Sequence, residues 1–244
     1  MSAFSAVYFR EILILKHRLK RQVAGMAVSP LLYILTFGHA LGGSLRIGEN
    51  TYLEFLLPGL VAMSSMTQAF GISSDINISR FYFHTFEEIQ AAPVGRFAYV
   101  FGEICAGITR VLIATFVILI IGRLFGVRLH CGALFWLAVV LNGFAFSALG
   151  IATALLVKTH ADQSLLNNFI ITPMAFLGGT FFPLEGLPAW TQTPLSALPL
   201  THASRIIRAD ALGTPIAPAS FLVLILAGLA ALVLAIAVIN RAKD

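Results

Sequence analysis

Charge is scarce in this chain, so the residues able to do chemistry are few and easily placed. Of its 244 residues only 11% are charged, while 58% are hydrophobic. The histidines His17, His39, His84, His130, His160 and His202 are scattered, with no HExxH pair and no His/Cys cluster at zinc-binding spacing. A phosphate-cradling loop needs two glycines and Gly-Lys-Ser/Thr after a strand. The nearest feature, Lys158-Thr159 after Val157, lacks that cradle. There is no pair of Asp-rich motifs for a magnesium-diphosphate site, and the serines have no matching His/Asp set. The sequence therefore predicts neither an enzyme nor a resident metal or cofactor. Cys105 and Cys131 are separated by a long apolar stretch, which argues against an intrachain disulfide.

The polar groups inside apolar stretches are the remaining candidates. Glu103 and Arg110 lie on nearly the same face of one such stretch, roughly 10 Å apart along a helix axis. Ionisable groups in that setting are functional candidates by default. Two roles stay open: lining a path, or structure, with Glu103 reaching an interface and Arg110 bonding to a neighbouring helix. In either case Arg110 is expected to face protein or a wet cavity rather than lipid. Glu54 and Asp75 fall at the ends of apolar stretches, and an ion-coupled carrier usually shows more buried carboxylates. Asn167-Asn168, Ser64-Ser65, Gly143 and Gly178-Gly179 suit close helix packing and cross-helix hydrogen bonds. Pro173 is expected to kink its helix.

The elements that position these groups read as an all-α membrane protein. Six apolar stretches fall near 23–43, 53–73, 98–122, 133–157, 166–182 and 218–239, in a chain of mean hydropathy +0.89. A span takes about 20 apolar residues as a helix, and lipid offers the backbone no partners. Arg10, Lys16, Arg18, Lys20, Arg21, Arg80, Arg96, Lys158, Arg241 and Lys243 fall to one side of six such spans. This places both termini in the cytoplasm of a plasma or inner-membrane protein. The basic pI near 9.6 then suits anionic lipid headgroups rather than nucleic acid. No cleavable signal peptide is evident at the start. Residues 3–21 pattern as an interfacial amphipathic helix, with Phe4, Val7, Tyr8, Ile12 and Leu15 on one face and a basic block behind. In the 75–97 loop, Ile78, Phe81, Thr85, Ile89 and Ala92 share a helical face, Glu87 and Glu88 sit off it, and Pro93 stops it. The Pro-rich stretch 183–215 predicts one or two short helices at the outer leaflet.

FLLPGLVAMSSMTQAF (55–70), FEEIQAAPV (86–94), ITPMAFLGGTFFPLEGLP (171–188) and PLTHASRIIRA (199–209) together, in this order, resemble the membrane subunit of type-2 ABC exporters. That family includes polysaccharide, lipo-oligosaccharide and drug exporters, and the resemblance covers essentially the whole chain as one domain, 1–244. It implies six spans, an N-terminal interfacial helix, a cytoplasmic coupling helix between spans two and three, and short outer helices before span six. It also implies a dimer of permeases, here a homodimer, working with separate ATPase chains that use ATP and magnesium. The coupling contact maps to Phe86, Glu87, Glu88, Ile89 and Pro93, and spans one, two and five would line the path. Hydropathy alone leaves open an ATP-independent carrier or channel, or a membrane-embedded lipid-modifying enzyme.

Overall fold

The computed structural model describes residues 2–39, 46–47, 49–83 and 85–241, without the side chains of His39, Arg46, Glu87, Ile89, Gln90, Glu185 and Arg241. The described residues are nearly all helical, apart from turns and one small hairpin of β1 (Arg46–Ile47) antiparallel to β2 (Asn50–Thr51).

The fold is built around α2 (Tyr52–Phe70). Thr51 starts it through a reciprocal cap: its hydroxyl accepts the Glu54 N–H at 3.3 Å, and the Glu54 carboxylate accepts the Thr51 N–H at 2.8 Å. After a joint at Gly71 the chain continues as α3 (Ile72–Phe81). Four described helices are long and apolar enough to cross a membrane: this α2–α3 rod, α5 (Arg96–Leu124), α6 (Ala133–Leu156) and α11 (Pro218–Arg241). The apolar stretch of the rod is 83% buried and that of α11 only 33%, so the rod is central and α11 peripheral. Leu56, Leu60, Met66 and Phe70 of α2 pack with Ile118, Phe135 and Phe146 in the main core. Close approach requires glycine at two places. A β-carbon on Gly107 of α5 would lie 2.1 Å from the Ser147 hydroxyl of α6, and one on Gly59 of α2 would lie 2.3 Å from the Thr180 carbonyl oxygen.

Three boundaries differ from the sequence expectation. The expected interfacial helix and first span are one helix, α1 (Ala3–Tyr33), which passes into a π-helical segment, Ile34–His39. Nothing at residues 21–23 breaks it, and Gly25 alone costs a helix only about 1 kcal/mol. Residues 40–43 of the expected first span lie outside the described residues. The amphipathic helix expected across 78–92 is two pieces, α3 and α4 (Thr85–Ala91), because the bulky aromatic run Phe81–Tyr82–Phe83 supports helix poorly. The helix expected at 166–182 begins earlier, as α7 (His160–Leu166), where Thr159 and Asp162 form a second reciprocal cap. It continues through a π-helical turn, Asn167–Ile171, into α8 (Thr172–Leu177). The Thr172 N–H reaches the Asn167 carbonyl one residue further back than in an α-helix, and this irregularity accompanies Pro173, which has no N–H to give.

After Gly179, at φ +73°, come α9 (Ala189–Ser196) and α10 (Pro199–Leu212). Proline at the first turn and Gly213 at φ +68° bound α10. Its apolar face, Leu200, Ala203, Ile206 and Ile207, is part of the core, packed on α2, α6 and α11.

Candidate functional site

At the α4 end of the bundle the scarce charges come together. Val7, Glu11 and Leu15 recur at i, i+4 on α1, and this stripe is buried among the residues that pack α1 on α5. The Glu11 carboxylate thereby enters the bundle, only 6% exposed. It accepts from Arg10 at 3.0 Å and from Arg110 of α5 at 3.4 Å. The other terminal nitrogen of Arg110 donates to Asp75 of α3. Arg110 therefore ties three helices, using the forked geometry that suits guanidinium to two carboxylates. Glu103 shares a cavity of about 230 Å³ with these groups, lined also by Arg10, Ser79, Thr85 and Tyr99.

The same corner seats α4. The Phe86 ring is buried edge-on to Tyr99 of α5, centroids 5.9 Å apart. The Arg80 guanidinium lies 5.0 Å from the Phe81 ring centre and 5.7 Å from that of Phe86, and it donates to the Ala154 carbonyl of α6. Phe86 thus faces the chain's own bundle while Glu88 is exposed on α4 and Pro93 is exposed just beyond its end. The backbone at Glu87 and Ile89 is helical; their side chains lie outside the described residues. Asn167 and Asn168 sit in the π-helical turn, half-buried and exposed respectively, and neither lines the Arg110 cavity.

Two further polar joints hold the bundle. Asn142 of α6, fully buried, donates to the Ser65 hydroxyl at 2.6 Å and to the Ala62 carbonyl at 3.1 Å, which pins α6 to α2. At the opposite end Arg208 of α10 donates to the carbonyls of Phe55 at 3.2 Å, Gly179 at 2.8 Å and Thr180 at 3.4 Å. Its guanidinium also lies 3.8 Å from the Phe55 ring centre. Among the described residues no cluster of His, Cys, Asp and Glu could hold a metal ion. Burial and the Asp210 carboxylate push the Cys131 thiol up, away from the thiolate form that reacts.

Sequence reasoning did not single out Glu11, Asn142 or Arg208. Glu11 had a signal: an acid between Val7 and Leu15 on an otherwise apolar stripe. Arg208 and Asn142 act through contacts distant in sequence, which no local pattern carries.

A helical bundle with several helices long and apolar enough to cross a membrane, and with its charges paired internally, defines an all-α protein of the membrane class. Residues 2–211 match the ABC-2 type transporter family, and the chain belongs to it. It is 30% identical over 198 residues to the inner membrane transport permease YadH of Escherichia coli K12, covering 78% of this chain and 75% of that protein. It is also 30% identical over 215 residues to nodulation protein J of Rhizobium leguminosarum bv. viciae, covering 87% and 83%. Nodulation protein J of Rhizobium meliloti is 30% identical over 214 residues, covering 86% and 82%. The chain is thus an ABC-2 permease, a membrane subunit of a transporter. The large side chains it exposes on α5 and α11, such as Phe116, Ile120, Leu222 and Val233, suit hydrocarbon rather than water.

Proposed function

We propose that this chain is the membrane subunit of an ATP-driven exporter, acting as a homodimer with separate ATPase chains that dock on α4. The observation that carries the reading is the two-sidedness of α4. Phe86 anchors it to α5 through Tyr99, while Glu88 stands exposed beside the turn at Pro93. A partner that moves α4 then moves the bundle, because Arg80, Phe86 and Tyr99 join α3, α4 and α5. ATP binds and is hydrolysed on the partner with magnesium; this chain receives the motion. Differential binding of ATP to two states of the assembly shifts the population between them. In this reading α1 with the segment after it, and the α7–α8 segment, are the first and fifth of six spans. The exposed side chains Val28, Leu32, Phe169 and Ile170 then belong to the face that meets the second copy or lipid. The termini and α4 are cytoplasmic, and α10 lies at the outer face of the inner membrane.

The test is Glu87→Arg combined with Glu88→Arg. Reversing charge at an interface replaces attraction with repulsion. The variant is expected to insert normally, lose co-purification of the ATPase and lose transport. Retention of both the ATPase and transport refutes the assignment of α4.

A further inference from the structure

The cavity beside Arg110 contains a carboxyl group that the ion pairs do not use. Glu103 is 2% exposed and makes no hydrogen bond or ion pair with any described residue. The described residues that line its cavity can be named element by element. From α1 come Arg10, Glu11 and, exposed at the mouth, Arg18. From α3 comes Asp75, whose side chain is 42% exposed. From α4 comes Thr85, and from α5 itself come Tyr99 and Arg110. Among the described residues no titratable group of α6 lines it. Arg80 is committed elsewhere, to the Ala154 carbonyl and the rings of Phe81 and Phe86.

Among the described residues the ion pairs of this corner close without Glu103. Arg10 and Arg110 are matched by Glu11 and Asp75, and both terminal nitrogens of Arg110 are taken. An ionised Glu103 would be a buried anion without a partner, which proteins avoid by keeping the group neutral. The cations lining the cavity are Arg10, which holds Glu11, Arg18, which is exposed, and Arg110, about two helical turns away on the same helix as Glu103. Drawing Arg110 toward Glu103 takes it from Asp75 or Glu11.

We propose that Glu103 is a proton-binding site, and that its proton decides whether Arg110 holds α3 through Asp75. With the proton on, the clamp across α1, α3 and α5 is closed. With the proton off, Glu103 competes for Arg110, and α3, which leads directly into α4, loses its tie to α5. The site needs no ATPase, so its test does not depend on the transport reading.

The full chain in lipid nanodiscs is titrated from mildly acid to mildly alkaline pH while the carbonyl stretch of protonated carboxyls is followed by infrared spectroscopy. A titrating band is expected in the wild type and is expected to be missing in Glu103→Gln. Its persistence in that variant, or its absence from the wild type, overturns the site. Carbodiimide labelling of the unmodified protein serves if the variant fails to fold. An adduct on Glu103 that declines as pH rises is expected, and none at any pH overturns the proposal. The clamp is tested with Asp75→Asn. In the wild-type background its loss of thermal midpoint is expected to shrink on alkalinisation, and in the Glu103→Gln background to stay constant. An equal loss at both pH values in the wild-type background refutes the link to Arg110.

Discussion

Replacing Arg208 by methionine tests what seats α10 in the bundle. The guanidinium donates to the carbonyls of Phe55, Gly179 and Thr180 and lies 3.8 Å from the Phe55 ring centre. A hydrogen bond from a charged donor contributes about 1.5–3 kcal/mol, and a cation over a ring about 0.5–2 kcal/mol. These figures do not add here. The Thr180 contact is long at 3.4 Å, and Arg208 is half-buried, so water replaces part of what is lost. Methionine also keeps most of the apolar stem in place. The net loss is about 3–4 kcal/mol, since two sound hydrogen bonds and the ring contact remain to be lost. For a domain of this size each kcal/mol moves the melting midpoint by about 2–4 °C, so a fall of roughly 10 °C is expected. Thermal unfolding of the detergent-solubilised protein reads it directly. Arg208→Lys keeps the charge but not the fork, and is expected to fall between the two. A methionine variant within about 2 °C of wild type, on the same scale, refutes the idea that these contacts seat α10. A lysine variant equal to wild type shows instead that charge alone suffices.

Other consequences follow from separate features. Gly59→Ala places a methyl 2.3 Å from a backbone oxygen that cannot rotate away, and a loss of about 1–3 kcal/mol is expected in the same melting assay. Asn142→Leu removes both bonds that pin α6 to α2, to the Ser65 hydroxyl and the Ala62 carbonyl, and a cost of about 1–3 kcal/mol is expected in the melting assay. A cysteine placed at Glu88 is expected to react with an impermeant thiol reagent only after the membrane is opened, and labelling in intact cells refutes the cytoplasmic placement of α4.

The helices of highest mean hydropathy, α5, α6 and α11, were the most legible, because length and hydropathy are local properties. Boundaries that depend on propensity alone were less so. The chain passes from the basic block at Lys16–Arg21 into the apolar half of α1 without a break, since no residue there opposes helix. The division of α3 from α4 turned on three aromatic residues that read equally well as a continued amphipathic face. Arg110 drew attention as a cation within an apolar stretch, yet its partners were hidden by distance. Glu11 lies 99 residues away and Asp75 lies 35 away. Hydrophobic periodicity says which face of a helix is buried, but it does not say which helix lies against that face.

The order of those partners along the chain matters before the protein is folded. Ribosomes make Glu11 and Asp75 ahead of Arg110. An arginine at the centre of a membrane helix costs about 2.5–3.5 kcal/mol on insertion scales. By the time α5 reaches the translocon, both carboxylates that neutralise its arginine have already been synthesised. The direction of translation thus makes the two acids waiting partners for the base, and α5 can leave the translocon against a bundle already able to receive its charge.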